Sequence, residues 1–554
     1  MTDQTHPTNP SEEAYDFVVI GSGFGGSVSA MRLTEKGYRV LVLERGKRFR
    51  DEDYARTNWN IWKYLWLPAL RCFGIQQLSL FRGFFLFGSS GVGGGSLVYA
   101  AVLMEPEESF YEAPTWSHLA DWKNVLSPHY QTARKMLGVV TNPRLWPADE
   151  ALKEIAEELG WGDTFKPTEV GYFFGESSEE VPDPYFGGEG PPRVGCIHCG
   201  ACMVGCRYNA KNSLDKNYLY FAEKWGAEVR SEVEAYDIRP LITEQPDGAR
   251  YEIHYRSSTA WLYKPMKSVR AKNVIVAAGA LGTLKLLLHC RDISQSLSKL
   301  SKRLGEVVRT NSESFLGGFT HEDRDDHSKG LAITSIFNAD AMTHVEPVRF
   351  SDGSSMMYRF LATPFIEVGG GFLVRLWKTI LSSLRRPMDL IRSKLVPGLA
   401  RRGVGLMFMQ AEDNLMRLKL GRGLFTLFRR GLVAEHDVKK TIPVDLRLGN
   451  RITQMFAEKI GGRPFGSFPS SLLNLPMTAH LIGGCLFGRD SSEGVIDLNC
   501  EVINYPGLYI IDGSIVPANP GVNPSLTITA LAEYAMSRMP VKEGAQQRPQ
   551  LEMN

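Results

Sequence analysis

FVVIGSGFGGSVSAMRLTEKGYRVLVLERG, residues Phe17 to Gly46, decides the fold. Phe17-Val18-Val19-Ile20 is an unbroken apolar run of the kind a buried parallel strand requires. Gly21, Gly23 and Gly26 follow in G-x-G-x-x-G spacing. The first makes a tight turn, the second lets backbone approach a pyrophosphate, and the third lets a helix pack on the strand. A helical pattern with Val28, Met31 and Leu33 then runs to Gly37, and a second strand, Arg39 to Leu43, ends on Glu44. Such a helix offers its free N–H groups and positive dipole end to the pyrophosphate. Glu44 stands where a carboxylate accepts from a ribose 2′-hydroxyl. A lone glycine triplet would equally fit a turn without a ligand. Strand, turn, helix, strand and acid in this order mark a dinucleotide site.

The remaining 524 of the 554 residues leave room for more than one domain, at 43% apolar and 22% charged content. A net charge of +2 gives no reason to expect nucleic acid. Residues 1–13 lack the basic and apolar regions of a secretory signal and are expected to be a disordered leader. No run approaches the roughly 18 apolar residues of a spanning helix. Four of the eight cysteines crowd between Cys196 and Cys206, which suits a metal and a reducing cytoplasm better than a disulfide framework.

The chain from Trp59 to Phe87 is unusually aromatic. It reads either as a cover over the cofactor or as an apolar wall for a greasy substrate. Gly88 to Pro106, GSSGVGGGSLVYAAVLMEP, passes backbone close to something flat or charged and then returns to an apolar segment. Asn212–Trp225 reads as an amphipathic helix and Glu228–Tyr263 as alternating strands. Ala271–His289 repeats the strand, small-residue turn and helix grammar. The expected organisation is α/β. Residues 14–110, 195–310 and 476–540 form a Rossmann-like nucleotide domain, 111–194 and 311–475 a discontinuous α+β substrate domain, and 541–554 a tail. Phe372–Arg402 carries eight Lys/Arg and one acid among Leu, Ile, Val and Trp. That is a solvated face packed on its own domain or a peripheral contact with the inner face of a membrane.

Six ordered motifs make the chain resemble the glucose–methanol–choline (GMC) family of FAD oxidoreductases, and within it the cholesterol-oxidase-like branch. They are GSGFGG at Gly21–Gly26, GVGGGSLV at Gly91–Val98, NAKNSLDKNYL at Asn209–Leu219, AAGALGTLKLL at Ala277–Leu287, HLIGGCLFG at His480–Gly488, and IDGSIVPANPGVNPSLTITALAE at Ile511–Glu533. The resemblance implies that FAD lies on Gly21, Gly23, Phe24, Gly26 and Glu44. It places the flavin against Gly91, Gly93, Gly94, Gly95 and Ser96, with Asp512 and Asn523 completing the site. It makes His480 and Asn523 the catalytic pair, and Phe365-Ile366-Glu367 the local match to the glutamate that some relatives hold over a steroid to shift its double bond. The implied reaction is oxidation of a hydrophobic alcohol, a 3-hydroxysteroid first, with hydride passing to flavin. Long-chain or terpenoid alcohols and a non-catalytic electron-transfer flavoprotein are the alternatives. A histidine and a neutral amide suit a reaction that removes a hydroxyl proton and stabilises the developing alkoxide.

Cys196-x2-Cys199-x2-Cys202-x3-Cys206 departs from the better-known oxidases of the family. It has bacterial ferredoxin spacing with Arg207 in place of the usual proline. The sulfurs suit a [4Fe-4S] or [3Fe-4S] cluster, zinc, or no metal at all, with His198 as an alternative ligand. Some dehydrogenases of the family carry a cluster in such a segment. The electron acceptor is accordingly either O2 or a redox carrier protein.

Overall fold

The computed structural model describes residues 13–243, 245–320, 325–366, 369–385, 387, 398–411, 414–436, 447–473, 475–549 and 551–553. Apart from Glu13, the expected leader lies outside them.

The apolar run anticipated at Phe17 is the centre of a sheet. Edge to edge its strands are Glu228–Arg230, Val40–Leu43, Tyr15–Ile20, Met266–Val276, Tyr251–Ser257 and Val233–Pro240. The first four are parallel, the last two form an antiparallel meander, and Leu508–Ile510 pairs in parallel with Val274–Val276. Register brings Ile20, Leu43, Val276 and Ile510 to one edge, the edge at which an open α/β sheet binds ligands. Helices Phe24–Glu35 and Ser525–Ser537 pack on each other over this sheet. Arg32 holds Glu533 through two bonds of 2.8 and 2.9 Å, and the Tyr218 hydroxyl donates to the same carboxylate at 2.7 Å.

The second sheet is antiparallel, in the order Ala362–Pro364, Gly462–Ser467, Ser314–Thr320, Gly403–Gln410, Thr343–Val348, Ser335–Asn338, Lys166–Pro167. One face carries Leu316, Val345, Val404, Leu406 and Phe408, which pack on helices Pro147–Glu158 and Arg447–Lys459. Since side chains alternate along a strand, Phe315, Met407, Glu346 and Val348 turn to the other face. That face looks toward the carboxyl edge of the first sheet.

Contacts cross two of the expected boundaries. Residues after 111 begin inside the nucleotide domain's core, because helix Trp122–Met136 packs along Ser525–Ser537. Trp116 and Trp122 stack at 4.6 Å, and Trp122 meets Phe487 and Tyr534. Described residues of the tail are docked: Lys542 reaches Asp16 at 2.5 Å, the Arg548 amide donates to the Glu35 carbonyl, and Leu551 and Met553 lie on the core. The helix read at Asn212–Trp225 is shorter, a 3-10 turn at Leu214–Lys216 followed by Tyr218–Lys224.

Trp122 is 1% exposed, and its indole donates to the Trp116 carbonyl. Trp122→Ala should therefore destabilise the nucleotide domain by about 3–5 kcal/mol. Urea unfolding followed by far-UV circular dichroism and by tryptophan fluorescence checks this. The main unfolding transition should shift; a shift confined to a minor transition would separate this helix from the core of the first sheet.

Candidate active site

Four turns meet where the parallel strands end: Gly21–Gly23, Glu44, Ala277–Gly279 and Ile511–Gly513. Gly23, Ala277–Gly279 and Asp512–Gly513 among them border a cavity of about 450 Å³ that continues between the two sheets. At the turn end it is lined by Gly23, Phe24, Gly95, Ala277–Gly282 and Asp512. At the far end it is lined by Phe315, Val348, Phe350, Met357, Tyr358 and Met407. His480 and Asn523 border the same space.

The other residues expected at the cofactor stand one layer back. Gly21 (φ +103°) makes its turn against the Ala277 carbonyl, and a Cβ on Gly26 would lie 2.0 Å from the Gly21 carbonyl. Gly94 (φ +53°) crosses so closely that a Cβ would sit 2.5 Å from Gly23 Cα. Ser96 Oγ donates to the Gly93 carbonyl at 2.7 Å and accepts from Leu214 N at 3.0 Å, fixing the Gly91–Ser96 loop. Glu44, 6% exposed, accepts from Ser22 N and Oγ at 3.1 and 2.7 Å and from Gly46 N at 2.8 Å, so it braces the first turn. Asp512 accepts from Ser514 N and Oγ and from Thr283 Oγ1, and burial raises its pKa.

These residues fit a dinucleotide. A Cβ on Gly23 or Gly279 would meet no atom within 4 Å, so backbone is bared to the cavity at both turns. Helices Phe24–Glu35, Gly279–Asp292 and Ser525–Ser537 all start there without a capping side chain. Apart from the Gly279 N–H, which donates to Asp512, their N–H groups and positive dipole ends remain for an anionic ligand.

The catalytic candidates are held by residues the motifs did not mark. Strand Met477–Thr478 pairs with Phe85–Leu86, and Thr478 Oγ1 accepts from His480 N at 3.0 Å. His480 Nδ1 contacts Glu313 Oε1, whose other oxygen accepts from Ala479 N at 2.7 Å. The Asn311 amide nitrogen lies 3.4 Å from the same Nδ1 and donates to the Val522 carbonyl at 2.8 Å. With Nδ1–H given to Glu313, Nε2 is the nitrogen left to take a proton. Asn523 precedes helix Ser525–Ser537 and is 7% exposed, and its Oδ1 has no partner among the described residues. Its amide lies against Glu346, which is 0% exposed. Burial, and then repulsion from Glu313, raise Glu346 to about 8, so the acid is neutral at pH 7.

Neither Glu313 nor Glu346 belongs to a local motif. The available signal was the alternation around Val345, which sends Glu346 to the face opposite the helices. Glu367 lies outside the described residues. The cysteine segment passes behind the chamber: Cys202 packs with Ile333, Val348 and Val522. The aromatic stretch divides: Tyr64 and Phe87 line the cavity, Phe81 and Phe84 enter the core, and Trp59 and Trp62 are exposed. Among the described residues no helix is long and apolar enough to cross a membrane.

Comparison with known proteins agrees with this geometry. GMC oxidoreductase family models match residues 193–290 and 472–532, and an NAD(P)-binding Rossmann-like domain matches 19–50. The chain is 44% identical over 549 residues to a cholesterol oxidase of Mycobacterium tuberculosis, covering 97% of this chain and 93% of the relative. It is 42% identical to a cholesterol oxidase of Acinetobacter baumannii, covering 95% of each. In fold it is similar to pyridoxine 4-oxidase from Mesorbium loti, with a TM-score of 0.59 and 15% identity over 95% of this chain and 99% of that one. Near-full-length identity of this order, with family matches in both the central and the C-terminal parts of the nucleotide domain, establishes that the chain belongs to the GMC family of FAD-dependent oxidoreductases.

Proposed function

We propose that the protein oxidises the 3-hydroxyl of a sterol to the ketone. The observation that carries this is the single cavity joining the dinucleotide turns to an apolar chamber, with His480 and Asn523 at its border. The names of its full-length relatives favour a sterol among hydrophobic alcohols. FAD, bound along the turns, supplies the hydride acceptor. His480 takes the hydroxyl proton at Nε2, and Glu313 holds the ring in that tautomer and stabilises its charged form. Asn523 orients the substrate oxygen and is itself held by Glu346. Phe315, Met357 and Met407 exclude water and enclose the apolar rings. With dioxygen as acceptor, one alcohol and one O2 give one ketone and one hydrogen peroxide. Glu367 is carried here only as the candidate for a later double-bond shift.

Anaerobic cholesterol should bleach the flavin of the holoenzyme far faster than a linear long-chain alcohol does. His480→Ala should keep flavin while slowing that bleaching by about 10²–10⁴-fold. Faster bleaching by the linear alcohol would move the substrate to that class. An unchanged rate in the variant would remove His480 from the chemistry.

Glu346 gives this reading a pH signature. Its pKa is raised to about 8, so the folded protein keeps a proton there that an unfolded chain loses near pH 4. Stability from this group is therefore full below pH 4 and declines as pH rises toward 8. Ionisation also places negative charge beside Asn523, where the reaction builds more. Wild-type flavin reduction should slow as pH passes about 8, and Glu346→Gln should lack that inflection. Stopped-flow reduction against pH tests this; an inflection unchanged in the variant would assign it to another group.

We further infer that substrate comes from a lipid surface. Helix Phe372–Arg385 exposes Phe372, Leu373, Trp377 and Leu384, and Phe360, tilted against Trp59 at 6.1 Å, adjoins Leu361 in the cavity wall. Trp377→Ser with Leu384→Ser should lower activity on vesicle-borne sterol several-fold and leave activity on detergent-dispersed sterol intact. Equal activities on both would place this face elsewhere. Exit of electrons to a carrier protein, and a second cofactor to serve it, form the other branch of the reading; oxidation by O2 requires neither.

A further inference from the structure

The four clustered cysteines serve nothing in the reaction above, yet they lie directly behind the wall of its cavity, where Cys202 packs on Ile333 and Val348. Met203, next to Cys202, lines that cavity. Each of the four sulfurs lies within electrostatic reach of the other three. No three of them meet within 4.8 Å, whereas Asp237, His289 and Cys290 do so elsewhere in the chain. A tetrahedral zinc, with Zn–S near 2.3 Å, would draw its sulfurs to within about 4 Å of one another. The wider spacing suits a polynuclear centre.

Burial raises the pKa of the Cys196, Cys199 and Cys202 thiols, and backbone N–H groups aimed at the sulfurs oppose it. His198 N donates to Cys196 Sγ at 3.5 Å and Ala332 N to Cys202 Sγ at 3.3 Å, and the Ala201 amide faces Cys199. Lys211 and Arg193 are each 1% exposed, and Arg193 donates to the Asn209 and Ala210 carbonyls at 3.0 Å each. Lys211 Nζ donates only to carbonyls, those of Leu97 (2.8 Å), Cys202 (2.9 Å) and Tyr99 (3.4 Å). Burial lowers the pKa of both, Lys211 to about 8; the attractions that oppose this come first from Cys206 and Cys202 for Lys211, and from Tyr185 and then Cys206 for Arg193. Two buried cations without a carboxylate partner are costly. Four thiolates on a metal centre would supply the missing charge. The turns at His198 (φ +54°), Gly200 (φ +71°) and Gly205 (φ +106°) wrap the segment around one point, and the Cys199 segment is pinned by its bridge to Gly330.

We propose that Cys196, Cys199, Cys202 and Cys206 bind an iron–sulfur cluster behind the cavity wall, neutralised by Lys211 and Arg193. The proposal goes beyond the sterol reading and does not depend on its substrate.

The test is holoenzyme purified without oxygen, assayed for iron, acid-labile sulfide, zinc and flavin, with an electron paramagnetic resonance spectrum before and after dithionite. Roughly three or four irons per chain with matching sulfide are expected. Cys199→Ser should lose most of the iron and sulfide while keeping its flavin. If that variant fails to fold, the wild-type stoichiometry and resonance decide alone. Protein with neither iron nor sulfide, even after incubation with ferrous iron and sulfide under reducing conditions, would overturn the proposal, as would one zinc per chain. Bleaching by cholesterol is read on the same samples, so loss of the cluster and loss of the sterol reading appear separately.

Discussion

The structure depends on backbone meeting backbone with nothing between. A Cβ on Gly25 would lie 1.7 Å from the Ile511 carbonyl, and one on Gly94 would strike Gly23. These contacts bring the first turn, the Gly91–Ser96 loop and the C-terminal strand to one point, although they come from distant parts of the sequence. The bidentate Arg32–Glu533 pair, buried with Tyr218, fixes the helices that rise from it. Attraction to Glu533 outweighs desolvation and raises the Arg32 pKa, so this charge is permanent. Everything that faces the cavity takes its position from that convergence.

Charge around the cavity is partitioned by partner. Glu313 has a histidine and a backbone N–H, whereas Glu346 has an amide and no cation. The first faces the imidazole it would orient in the proposed reaction. The second stays neutral near pH 7 and acts as a hydrogen-bonding group. Two acids on the same side of one sheet thus have different roles because their neighbours differ.

The nucleotide domain was legible because its constraints are local. Phe17–Ile20, the glycine spacing and Glu44 lie within thirty residues and announce strand, turn and acid in sequence order. His480 and Asn523 were legible only through motif resemblance. Gly25, which makes the closest approach of all, was passed over because its partner, Ile511, is remote in sequence. Glu313, Asn311 and Glu346 were missed for the same reason. They reach the site from an antiparallel sheet whose register is set by pairings across the whole substrate domain. Contacts cross the expected boundary at 111 because Trp116 and Trp122 bind the residues after it to the core, a pairing with remote partners that no local pattern signals.

The order in which the sheet is completed bears on how the protein is made. Tyr15–Ile20 pairs with Met266–Val276, that strand pairs with Leu508–Ile510, and Arg32 waits 501 positions for Glu533. A ribosome releases the first strand long before its helix partner exists, so the nascent chain carries an apolar strand and a glycine turn that cannot yet close. Folding of the nucleotide domain is therefore largely post-translational and dominated by non-local closure, the slow regime for an α/β topology. Cofactor loading belongs to the finished polypeptide, and a chain truncated before residue 508 has no complete seat for it.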